Sequence, residues 1–206
     1  MPPKPFLFVA TRRVSQPFTV EWKVTPSIPT SLGSVGLMPT HQTFHIPRRV
    51  VRPMAHLVFV LASAGNNRVL AQSVREHAQE VGHTVDILSL NDYEFPLYST
   101  KMEQQIDVLP GLSDLIGRLN AGDAWMVFAP EYNGSYPPVL NNSIAWLSRQ
   151  GDDFRRLFRD RTVALATHSG GGGAHVIMAM RMQFSFLGCN VIGRALMTNS
   201  KKAANP

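Results

Sequence analysis

Three short stretches carry the residue types that could do chemistry. The first is Pro130-Glu131-Tyr132-Asn133-Gly134-Ser135, which brings a carboxylate, a phenol and an amide together at a turn. The second is Thr167-His168-Ser169-Gly170-Gly171-Gly172-Gly173, whose four glycines allow a close approach that side chains would block. Glycine gives up much conformational entropy on ordering, so a bound ligand is a physical reason for such a run. The third, Ser63-Ala64-Gly65-Asn66-Asn67-Arg68, puts small and amide-bearing residues just before a helix. Backbone donors and the macrodipole at a helix N-terminus favour an anion there. Several side chains have two readings. His168 either shuttles a proton or packs at a sheet edge. Asn66 either binds a ligand or caps its helix. Tyr132 either lines a ligand's face or fills a corner, and Glu131 reads as a solvated or structural group rather than a general acid. There is no Gly-x-Gly-x-x-Gly fingerprint, Walker loop or metal-ligand cluster, and no metal is expected.

These stretches need a scaffold, and the hydrophobic pattern supplies one. His56–Ser63 is a continuous apolar run of the kind found in a parallel strand buried on both faces. Leu70, Val74, Ala78 and Val81 mark the face of a helix closed by Gly82. Thr84–Leu90 is a second strand, 91–105 a loop, and Leu112, Leu115, Ile116 and Leu119 mark the next helix. Ala124–Ala129 is a third strand. After it, Ser135 is a plausible N-cap, and Leu140, Ile144 and Leu147 share one helical face. Thr162–Thr167 is a fourth strand. A helix follows with Ile177, Met180, Phe184 and Leu187 inward and Arg181 outward, and Asn190–Met197 is a fifth strand. The alternation implies a doubly wound parallel sheet with helices on both faces, and ligands in such a sheet bind at the carboxyl ends of the strands. Met178, Met180, Met182 and Met197 read as core filling.

Pro130–Ser135, the Leu140-Asn141-Asn142-Ser143 helix start, Trp146-Leu147-Ser148-Arg149 and Thr167–Gly173 together resemble the NADPH-dependent FMN reductase family, over Met54 to about Ser200. That family is flavodoxin-like and includes quinone, azo and chromate reductases. The resemblance implies an α/β fold, flavodoxin-like, with a five-stranded sheet in the order 2-1-3-4-5. It implies an FMN held by Ser63, Asn66 and Asn67 at the phosphate and by Pro130, Glu131, Tyr132, Asn133, Ser169, Gly170 and Gly171 around the ring. No side chain is expected to be catalytic, because flavin N5 carries the chemistry. NADPH or NADH is the expected hydride donor. Two departures stand out. The first loop is shorter than the family's Gly-Ser-x-Arg-x-x-Ser-x-Asn form, matching at Asn67-Arg68 and Leu70-Ala71. The residues from Thr198 to Pro206 are too few and too polar for the last helix of a flavodoxin-like domain.

Composition bounds the rest. The 206 residues suit one substantial domain, and no apolar run is long enough to span a bilayer. Cys189 is the only cysteine, which excludes an intrachain disulfide and fits a reducing compartment such as the cytoplasm. The net charge of +6 lies entirely in residues 1–53, while the rest balances 13 bases against 13 acids, so no nucleic-acid partner is expected. Nine of the 15 prolines also fall in 1–53. Three readings fit this Pro-rich basic extension: a disordered tail, an organelle-targeting segment, or residues upstream of a natural start at Met54. The domain is then 54–206. The function expected is an FMN-dependent NAD(P)H oxidoreductase passing hydride to a quinone, azo, metal-oxyanion or flavin acceptor. The rivals are a flavodoxin-type electron carrier, which usually has a strongly acidic surface, and a non-catalytic remnant. A homodimer or homotetramer is expected, with Trp146 at its interface.

Overall fold

The computed structural model describes residues 54–200; the expectations for 1–53, and for the tail beyond residue 200, lie outside them. In chain order the elements are β1 (His56–Leu61), α1 (Asn66–Glu80), β2 (Thr84–Ser89), α2 (Thr100–Gln105), α3 (Leu112–Ala121), β3 (Ala124–Phe128), α4 (Pro138–Leu147), β4 (Thr162–His168), α5 (Ala174–Phe186), β5 (Asn190–Val191) and β6 (Leu196–Thr198). A single 3-10 turn, Leu90–Asp92, follows β2. The strand order is β2-β1-β3-β4-β5, all parallel, with β6 also pairing to β4. This is the doubly wound order expected from the sequence.

The apolar strand runs follow from burial on both faces. Val58, Val60, Trp125, Val127, Val163 and Leu165 point into a core completed by α3, α4 and α5. Phe59, Leu61, Phe128 and Ala166 point the other way, where α1 contributes Ala71. Helix α1 ends as expected: Gly82 has φ +91°, and its N–H and that of His83 reach back to the Gln79 and Ala78 carbonyls.

Several local expectations are corrected. The expected fifth strand is split. Asn190–Val191 and Leu196–Thr198 pair with the two ends of β4, and four residues between them oppose only Ala164 and Leu165. This is a bulge, held where the Arg181 guanidinium donates to the Ile192 and Gly193 carbonyls. Arg181 therefore does not simply face solvent. The loop over 91–105 contains α2, started by the Ser99 hydroxyl accepting from Met102 N–H at 3.1 Å. Val81 is exposed rather than on the buried face of α1, and Met178 and Met182 are exposed rather than core.

Trp146, expected at an interface between copies, is packed inside its own chain. It is 3% exposed, donates its indole N–H to the Pro96 carbonyl at 2.8 Å, and meets the Tyr98 ring edge-on. Among the described residues no helix follows β6, and none is long and apolar enough to cross a membrane.

Candidate cofactor site

Loops after β1, β3 and β4 emerge side by side at the carboxyl edge of the sheet, because β1, β3 and β4 are neighbours in it. Each takes its shape from its own residues. After β3, Asn133 (φ 51°) and Gly134 (φ 76°) occupy the left-handed region, which Asn and Gly tolerate best. They close a tight turn in which Tyr132 and Ser135 exchange backbone hydrogen bonds at 2.7 and 3.0 Å. The turn explains why Ser135 is not the helix cap. Its backbone closes the hairpin, and α4 starts three residues later with Pro138 in the first turn, where a missing N–H costs nothing. After β4, Gly172 and Gly173 have φ of +92° and +75°. A Cβ on Gly173 would overlap Thr167 Cγ2. Half of the glycine run is thus required by the backbone itself.

The three loops are braced to one another by side chains expected to be ligands. Asn67, 2% exposed, donates from Nδ2 to the His168 carbonyl at 3.1 Å and accepts from His168 N–H at 2.8 Å. Ser169 Oγ accepts from Glu131 N–H at 2.8 Å and shares a hydrogen bond with Thr167 Oγ1, also at 2.8 Å. The Glu131 carboxylate lies at the start of α5, where Oε2 accepts from Val176 N–H at 3.3 Å and Oε1 is 3.6 Å from His175 Nδ1. A carboxylate suits the positive end of a helix. Glu131 is therefore structural, the second of its two readings. His168 also has its edge role: Nδ1 is 3.0 Å from Thr198 Oγ1.

What remains free defines the site. Among the described residues no acceptor takes the N–H groups of Ser63, Ala64, Gly65 or Asn66 at the head of α1, nor those of Gly170, Gly171, Asn133 or Gly134. Asn66 is exposed, and the N-cap of α1 is Gly65 with no side-chain cap, so Asn66 does not cap the helix. A Cβ on Gly170 would meet nothing within 4 Å, and one on Gly171 only Glu131 Oε1 at 3.8 Å. There is open space in front of both. Tyr132 is 51% exposed and does not fill a corner. Pro130 is half-buried at the base of its loop. Sequence reasoning missed Thr198, His175 and the bracing role of Asn67. Their partners lie 30 to 101 residues away for Thr198 and Asn67, a separation that no local pattern reports.

These residues fit a phosphorylated, flat, polar-edged cofactor. Small residues and free amides stand at one helix N-terminus, and an open, glycine-lined wall with donors stands beside it.

Comparison with known proteins agrees. The chain is 28% identical over 131 residues to a probable NADPH:quinone oxidoreductase 2 of Oryza sativa subsp. japonica, covering 62% of each. It is 30% identical over 103 residues to a quinone reductase of Escherichia coli, covering 49% of this chain and 53% of the relative. The matches thus span somewhat over half of these two relatives' length. The solved structure of FerB, described as a flavoenzyme NAD(P)H:(acceptor) oxidoreductase from Paracoccus denitrificans, superposes with a TM-score of 0.59 at 20% identity, over 68% of this chain and 78% of FerB. That likeness is one of fold. The family model of NADPH-dependent FMN reductases matches residues 56–203, and with the doubly wound sheet and the braced loops at its carboxyl edge it makes this chain an oxidoreductase of the NADPH-dependent FMN reductase family.

Proposed function

We propose that the chain binds FMN across the loops after β1, β3 and β4 and works as an NAD(P)H oxidoreductase on a small-molecule acceptor: a quinone, an azo compound, a metal oxyanion or free flavin. The observation that carries this is the set of unused backbone donors at the head of α1, on the open Gly170-Gly171 wall and at the Asn133-Gly134 turn, while the N–H groups of Glu131, Tyr132, Ser135, Ser169 and Gly172 are spent within the loops. The chemistry that bound FMN supplies is acceptance of hydride from the nicotinamide and its delivery to the second substrate.

The chain's own residues bind and orient. The N–H groups of Ala64 and Gly65, with the side chains of Ser63 and Asn66, take the phosphate at the positive end of α1. Gly170, Gly171 and Asn133 present N–H groups to the polar edge of the ring, where fixed donors stabilise negative charge as it develops. Tyr132 covers an exposed ring face, and Pro130 fixes the base of its loop. Glu131, Ser169 and Asn67 act indirectly, by bracing the donors.

The visible spectrum of the purified protein tests this first, followed by NADPH oxidation with a quinone as acceptor. The protein should be yellow, or become so with added FMN, and with oxygen excluded should turn over NADPH only when acceptor is present. A protein that binds no FMN overturns the proposal.

A further inference from the structure

The loops after β1 and β4, which the FMN reading places at opposite ends of the cofactor, are joined directly by one side chain. Strand β4 pairs with β3 as far as Ala166, where Ala129 N–H donates to the Ala166 carbonyl at 3.1 Å, and β3 then turns away. The next position of β4 on that side is His168, whose N–H and C=O would be left without a neighbouring strand. Asn67 fills the gap. Its primary amide accepts from His168 N–H at 2.8 Å and donates to His168 C=O at 3.1 Å, as a peptide of a neighbouring strand would. Asn67 is the second residue of α1, two after Gly65, and His168 is the last residue of β4, immediately before Ser169. One amide thus joins the phosphate end of the site to its glycine wall. With one donor and one acceptor so used and the residue 2% exposed, Asn67 presents little to a ligand.

We infer that Asn67 is a positioning residue that sets the distance between the phosphate-binding and ring-binding loops, and so selects a flavin by the span from its phosphate to its ring. This rests on the FMN reading above. A ligand held at both ends gains from the second contact only if the two grips match its length, because the second binding step is then intramolecular. Riboflavin has the same ring without the phosphate. It needs only the ring-binding loops and does not depend on their separation from α1.

The test is titration of the apoprotein with FMN and with riboflavin, followed by flavin fluorescence, alongside thermal melting of the same apoproteins. Wild type, Asn67→Asp and Asn67→Ser are compared. Asp keeps the acceptor but sets an oxygen against the His168 carbonyl; Ser is smaller and uncharged, and serves if the buried charge of Asp prevents folding. Wild type should prefer FMN. In the variants that preference should fall about tenfold or more, with riboflavin affinity within about threefold of wild type. If FMN and riboflavin weaken together, or only the melting temperature falls, Asn67 is a structural clamp alone and the inference is wrong. Failure of wild type to bind either flavin overturns the FMN reading itself, a result the variants cannot imitate.

Discussion

At the scale of the residue, four glycines that look alike in the sequence divide into two jobs. Gly172 and Gly173 hold a left-handed backbone, and Gly173 also sits against Thr167, whereas Gly170 and Gly171 border open space. Gly173→Ala combines left-handed strain of about 1–3 kcal/mol with a steric clash. It should lower the melting temperature of the apoprotein clearly. Gly171→Val should leave the apoprotein near its wild-type melting temperature and, on the proposed placing of FMN, weaken its binding by filling the open space in front of the loop. Melting and flavin titration on the same two apoproteins separate the roles, and a Gly171→Val protein with wild-type affinity would move the ring elsewhere. Cys189 illustrates a side chain whose environment settles its chemistry. Burial pushes its thiol up to about 12, and it donates to the Phe158 carbonyl at 3.3 Å. The folded protein should therefore resist thiol reagents at pH 8, and the unfolded chain should react at once, since only the thiolate is the nucleophile.

At the scale of the element, the sequence is legible where burial is continuous and opaque where partners are distant. The runs ending at Leu61, Phe128 and His168 announce buried strands because both their faces are covered. The face of α4 follows from Leu140, Ile144 and Leu147, all buried. Nothing local shows that Trp146 turns inward, for its acceptor is the Pro96 carbonyl, 50 residues away. Nor does local pattern show the bulge between β5 and β6, which depends on Arg181 from another element. Trp146→Ala should cost about 3–5 kcal/mol in stability, as expected for a buried aromatic. Its replacement by Phe should cost less and leave the solution molecular mass unchanged by light scattering.

Helix α3 is tied to β2 by a forked pair, Arg118 donating to both Asp86 oxygens at 2.9 and 2.8 Å and to the Ile87 carbonyl at 3.1 Å. The hydrogen bond from Arg118 holds the Asp86 carboxyl below its usual range. A lowered folded pKa adds stability in full above the unfolded carboxyl value of about 3.9, and that stability is lost as pH falls through the lower folded value. Both side chains are about a third exposed, so the contribution is about 0.5–1 kcal/mol. Asp86→Asn should lose about this much at pH 7 and show a shallower loss of stability below pH 4 in acid titration.

At the scale of the whole molecule, the salt dependence of turnover would separate a reductase from a protein-to-protein electron carrier. Outside residues 1–53 the chain carries 13 bases and 13 acids, so that part has no net charge. Several of those charges are also neutralised locally, as in the Arg149–Glu103 and Arg159–Asp153 pairs. A carrier that finds its protein partner by opposite surface charge shows an association rate that falls steeply with ionic strength. A small neutral acceptor diffusing to the loops at the carboxyl edge feels no such force. NADPH is itself an anion, so it should be held saturating while a neutral quinone is varied. Under those conditions kcat/KM for the quinone should change by less than about twofold between roughly 0.05 and 0.5 M salt, a range over which exposed charges pass from weakly to strongly screened. A decrease of about tenfold or more would point to recognition by charge, and with it to a macromolecular redox partner in place of the small acceptor.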